Sequence, residues 1–217
     1  MERIEISGQN LKRRLDELVS PRLSHLGVTW RGDYFWVEEG ATPMRRVVGF
    51  YLLKGASAVM AWGYSLSFVP LVAGSRLQYH RTFKSAHPTV FEWPESYARS
   101  FSGGGMNFRK VIVLAGEFES TLASFLDAEL PVLAAWLARV QSLQAIEEEL
   151  RRQIATPSFG YRVHHPQQDY VLPFVVAALG NAAEAERLAA AGFARIDLDL
   201  HAQLIICLRR VPDLLAT

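Results

Sequence analysis

The chain has 217 residues, half of them hydrophobic and 21% charged, with 23 basic against 22 acidic side chains. This length suits one large domain, or one domain with a helical annex, and the composition excludes a disordered chain. Charges that nearly cancel exclude a global field steering the protein to nucleic acid or an acidic membrane, and a single cysteine, Cys207, excludes an intramolecular disulfide.

The N-terminus, Met1-Glu2-Arg3-Ile4-Glu5-Ile6, is charged where a secretory signal would be apolar, and no run of about eighteen apolar residues follows. A cytoplasmic chain without membrane contact is therefore expected. The first helix should start near Ser7 or Asn10, either of which can cap it, and carry Leu11, Leu15, Leu18 and Val19 as one stripe. Pro21 kinks or restarts it, and Gly27 ends it. Strands are expected over 30–38, with a turn or bulge at Arg31-Gly32-Asp33-Tyr34, then over 46–54, 58–70 and 76–84. The turns between them, at 55–57 and 73–75, are short, which implies an antiparallel meander. Residues 85–108, with Pro88, Pro94 and Gly103-Gly104-Gly105, read as a long irregular loop, and Lys110–Leu114 as a last strand returning to the sheet.

Beyond Gly116 the pattern is helical. Phe118, Leu122, Phe125, Leu126, Leu133, Leu137, Val140 and Leu143 form one stripe, which Pro131 should kink or split. A loop is expected over 156–168, then two short helices around Gly180-Asn181 with Gly192 closing the second. Asp197 or Asp199 caps a final helix through Val211. The fold expected is α+β: a mainly antiparallel sheet of about five strands packed by an N-terminal helix and a long kinked helix, with a C-terminal helical cap. Residues 1–155 form the sheet domain and 156–217 the cap.

Chemistry is sparse. In the strand 76–84, Arg76, Gln78, His80, Thr82 and Lys84 share one face, and Leu77, Tyr79, Arg81 and Phe83 the other. The first face has the makings of an anion- or partner-binding surface, although a solvated outer sheet face shows the same alternation. The glycines 103–105, followed by Arg109 and Lys110, lead into a strand rather than a helix, unlike a phosphate loop. His164 and His165 are adjacent on an extended segment, so they point apart and make a poor ligand pair. No nucleophile elbow is present, and Cys207, among Leu204, Ile205, Ile206 and Leu208, reads as a buried structural thiol. No cofactor or metal is implied. Trp93, between Glu92 and Pro94, is the best candidate for a loop anchor.

The order of segments, Leu11 to Gly27 leading into Tyr34-Phe35-Trp36 and then Tyr64-Ser65-Leu66-Ser67-Phe68, resembles uncharacterised bacterial α+β families of unknown function. The resemblance covers the first half and implies no residue role. The plain composition without a catalytic signature is similar in style to toxin-neutralising immunity proteins. The leading expectation is a non-enzymatic binding protein, immunity- or regulator-like, that contacts a protein partner through the polar strand face and the 85–108 loop. Arg76, His80, Lys84 and Arg109 would supply charge, and Trp93 with Tyr97 the aromatic burial. The alternative is a small-molecule binder or enzyme with a pocket at the sheet mouth around Tyr64, Arg76, His80 and Arg109. A homodimer burying the aromatic face is a third reading.

Overall fold

The computed structural model describes residues 3–40, 42–53, 57–92, 101–102, 106–107, 110–114, 118–156, 166–194 and 196–216. The strands are β1 (Arg3–Ser7), β2 (Val28–Trp30), β3 (Phe35–Glu38), β4 (Met44–Leu53), β5 (Ser57–Leu66), β6 (Pro70–Ala73), β7 (Arg76–Tyr79), β8 (Val90–Glu92), β9 (Phe101–Ser102), β10 (Met106–Asn107) and β11 (Lys110–Leu114). The helices are α1 (Gly8–Leu23), α2 (Phe118–Arg139), α3 (Leu143–Ala155), α4 (Gln168–Ala178), α5 (Ala182–Gly192), α6 (Leu198–Arg209) and α7 (Val211–Leu215). The fold is α+β. The main sheet has the order β2-β3-β4-β5-β8, with β9 also on β5, and its β2-β3-β4 and β5-β9 pairs are antiparallel. Two smaller antiparallel sheets accompany it, β1-β11-β10 and β6-β7.

Several elements depart from the sequence reading, among them the strand expected over 58–70, which ends at Leu66 before β6 opens at Pro70. The N-terminal segment is a strand, because Arg3–Ser7 finds its ladder on Leu114–Lys110, more than a hundred residues away. For the same reason β11 joins β1 and β10 rather than the main sheet. The stretch 85–108, expected to be irregular, contains β8, β9 and β10, while 93–100, 103–105 and 108–109 lie outside the described residues.

The chain divides into two compact units. Unit 1 comprises Met1–Gly40, Arg46–Gly63 and Glu92–Trp136; unit 2 comprises Ala41–Arg45, Tyr64–Phe91 and Leu137–Thr217.

In unit 1 Leu11, Leu15 and Val19 of the expected α1 stripe are fully buried, Leu18 is only half-buried, and Leu23 completes the buried face. The helix runs through Pro21, a short 3₁₀ turn follows, and Gly27 closes it at a left-handed φ of 68°. Two ion pairs, Arg14–Glu119 and Arg22–Asp127, tie α1 to α2, and Phe125 of α2 meets Phe50 of β4 edge-on. Among the described residues α2 is the one helix long and apolar enough to cross a membrane by length and composition. Asp127, Glu129 and Pro131 interrupt its apolar run. About a third of its apolar stretch (33%) is buried, with Phe118, Leu122, Leu126 and Leu133 inside and Glu119 and Asp127 ion-paired to α1.

Trp36, fully buried, donates its indole N–H to Ser20 Oγ at 2.8 Å, and Ser20 in turn donates to Asp16 at 2.6 Å. Ser20→Ala would strand the indole donor, so urea denaturation should show a loss of about 1–2 kcal/mol. Unchanged stability would mean that this bond contributes nothing to the core.

In unit 2, α4 is the central helix. Tyr170 through Ala177 are all buried, as expected of a helix covered on every side. Its Tyr170 and Phe174 cluster with Phe193, which follows α5, at ring separations of 5.4–5.8 Å. Helix α2 runs on through Pro131, and α3 starts at an N-cap, Ser142 accepting from Ala145 N, so the stripe from Phe118 to Leu143 breaks there and not at the proline. Asn181 and Asp197 cap α5 and α6 in the same way.

Candidate functional site

The described residues bring chemistry-bearing side chains together in unit 2, around the β6-β7 ribbon. The ribbon pairs in register from Pro70↔Tyr79 to Ala73↔Arg76 and turns at Gly74, whose φ of 62° opens a two-residue hairpin turn. Arg76 and Gln78 are exposed, and Leu77 and Tyr79 half-buried, as the alternation requires. The alternation expected to run on to Lys84 stops at Tyr79. From there local hydrogen bonds compete with the ladder: His80 Nδ1 bonds to the Ser85 carbonyl, Thr82 N donates to Ser85 Oγ at 3.1 Å, and Ser85 N donates to Thr82 Oγ1 at 3.2 Å. Arg81 and Lys84 are exposed on this turn.

Tyr79 is the hub of the site. The Arg81 guanidinium lies 4.1 Å from the centre of its ring. Its hydroxyl hydrogen-bonds the Cys207 thiol of α6, and Arg210 is near enough to act on it electrostatically. Burial first, and then the Cys207 contact, push the Tyr79 hydroxyl up to about 12, with Arg81 and Arg210 pulling the other way. Tyr170 donates to the Pro70 carbonyl at 2.6 Å, and burial raises its hydroxyl as well. Cys207, read as a buried inert thiol, is half-buried with Tyr79 as its partner.

Arg81 is held from two further sides. Its Nε–H donates to the Ser67 carbonyl at 3.3 Å, and its own carbonyl accepts from Arg45, a buried arginine, at 3.2 Å. Its side chain reaches the edge of a pocket of about 340 Å³, lined by Thr42, Pro43, Ser67, Phe68, Arg81, Leu214 and Leu215.

The expected site residues fall in different places. Tyr64 is a buried core residue of β5, whose carbonyl accepts from Thr89 N at 2.8 Å and Thr89 Oγ1 at 3.0 Å. Arg76 and Lys84 are exposed on the ribbon and its turn. His80 is half-buried, its ring 5.8 Å from that of His87 in a tilted contact, and bonded to Ser85. Trp93, Tyr97, Arg109, His164 and His165 lie outside the described residues. The pocket is lined by neither Tyr64, Arg76 nor His80. Among the described residues no three His, Cys, Asp or Glu side chains converge as metal ligands.

Sequence reasoning missed Arg81, which the alternation assigns to the inner face, and Arg210. A usable signal was present: residues 40–91 contain six Lys or Arg and no Asp or Glu. No protein-family model, curated protein or solved structure matches the chain.

Proposed function

We propose that this is a non-catalytic binding protein, of an immunity or regulatory kind, that engages an acidic protein partner through the β6-β7 ribbon of unit 2. One observation carries the reading. Ten arginines, from Arg13 to Arg209, each hold a carboxylate within ion-pair distance. Arg76, Lys84 and Arg210 are exposed and have no such partner among the described residues. A chain that pairs ten of its arginines leaves these three cations, on and beside one ribbon, to a carboxylate from outside. Charges placed this way steer encounter and select a partner of opposite sign. Arg76 and Lys84 keep the contact role expected of them, and His80 holds the turn that presents Lys84.

The test starts from native mass spectrometry of protein purified gently from its host, comparing the parent with Arg76→Glu/Lys84→Glu. The parent should retain an acidic protein that rising salt releases, and the double variant should bind it at least about tenfold more weakly. Equal retention by the double variant would sink the ribbon as the contact surface.

A further inference from the structure

We propose that the pocket of unit 2 binds a small monocarboxylate with an apolar body, its carboxylate held by Arg81. The lining divides by chemistry. Phe68, Pro43, Leu214 and Leu215 offer apolar surface, and Arg81 is the only charged one among the described residues of the wall. A pocket of about 340 Å³ is at the small end of the roughly 300–1,000 Å³ typical of ligand sites, so the guest is a small molecule.

Arg81 is prepared for this task. A guanidinium has five N–H donors in a planar fork that matches a carboxylate. Only Nε–H is engaged, on the Ser67 carbonyl, and the Nη groups have no partner among the described residues. The Tyr79 ring at 4.1 Å and the Ser67 carbonyl hold the side chain, and the bond from Arg45 to the Arg81 carbonyl fixes its backbone, which lowers the entropy lost when a ligand is bound. The Ser67 hydroxyl, on the same wall, has no protein partner among the described residues and is free to donate a second hydrogen bond. Its backbone is already fixed, Ser67 N donating to the Pro43 carbonyl at 2.9 Å. A dicarboxylate or a phosphate would bring more charge than one guanidinium answers, and a hydrocarbon would leave the fork unused.

Octanoate is the probe, with octan-1-ol and octylamine as charge controls, titrated into the full chain by calorimetry and by amide chemical shifts. Octanoate should bind saturably with a dissociation constant on the order of 0.1–1 mM, as expected for about ten heavy atoms. The shifts should centre on Ser67, Phe68, Arg81 and Leu214, and neither control should saturate. Arg81→Gln, an exposed substitution that leaves the core untouched, should weaken octanoate about tenfold or more. Arg81→Lys, which keeps the charge and loses the fork, should fall between the two. Arg76→Glu/Lys84→Glu should stay within about twofold of the parent, which separates the pocket from the ribbon reading. No saturable binding below about 10 mM, octan-1-ol binding as tightly as octanoate, or an unchanged Arg81→Gln would each overturn the proposal.

Discussion

Gly192→Ala is expected to destabilise unit 2 by about 2–3 kcal/mol, although alanine is the better helix former by about 1 kcal/mol. A Cβ at this position would lie 2.3 Å from the backbone oxygen of Asp169 and 3.0 Å from its carbonyl carbon. No rotamer relieves a clash with backbone, so α5 and the first turn of α4 must separate. Neither has room to give. Helix α4 is buried from Tyr170 to Ala177, and Phe193, the next residue along, is locked between Tyr170 and Phe174. At the usual urea dependence of about 1–3 kcal/mol per molar the midpoint should fall by roughly 1 M or more. A midpoint equal to that of the parent would mean that the two helices part without cost.

Glu149→Gln should show the second large effect, and its signature is pH dependence. The Glu149 carboxylate is wholly buried, while its partners Arg139 and Arg152 are about half exposed. Arg139 reaches it at 2.8 Å, Arg152 at 2.5 Å and 3.0 Å, and Gln153 at 2.7 Å. Burial alone would raise this acid, but the hydrogen bonds from Arg152, Arg139 and Gln153 reverse that and hold it at about 2, below its ordinary 4.5. A folded-state value below the unfolded one stabilises the protein above the unfolded value, and the contribution is lost as pH falls toward the folded one. The window therefore runs from about pH 5 down to about 2, and the amount is about 3 kcal/mol. At pH 7 the glutamine variant should be less stable by about that much, with the gap closing as the pH drops through the window. A gap that stays constant from pH 7 to 2 would remove the carboxylate's charge from the account. Gln153 carries the effect further, since the same amide also donates to the Phe91 carbonyl of β8 at 2.9 Å.

Legibility in the sequence followed distance along the chain. The α1 stripe, the caps at Asn181 and Asp197, and the outward Arg76 and Gln78 depend on neighbours within a few residues, and they were readable. Strand β1 was not, since its ladder partner among the described residues is a strand a hundred residues later, although Arg3-Ile4-Glu5-Ile6 does alternate. The end of β7 at Tyr79 was hidden because His80, Thr82 and Lys84 continue the alternation in type while the hydrogen bonds of His80 and Thr82 to Ser85 close a turn. The site was the least legible part. Arg81, Cys207 and Arg210 converge on Tyr79 from segments more than 120 residues apart. A cation that lacks a carboxylate in space looks, in sequence, like any other arginine.

Unit 2 is interleaved with unit 1, and this bears on how the protein emerges from the ribosome. The ribbon and β8 are synthesised early, but Gln153, which clamps Phe91, comes 62 residues later, and Tyr170, which clamps Pro70, comes 100 residues later. At roughly 5–20 residues per second that is a wait of about 3–20 s. Until then Leu71, Val90 and Phe91, buried in the finished protein, lie in a ribbon and a strand that Gln153 and Tyr170 have not yet reached. A nascent chain stalled near residue 140 should thus be a strong client for chaperones that hold exposed apolar strands, and one stalled after residue 215 a weak one.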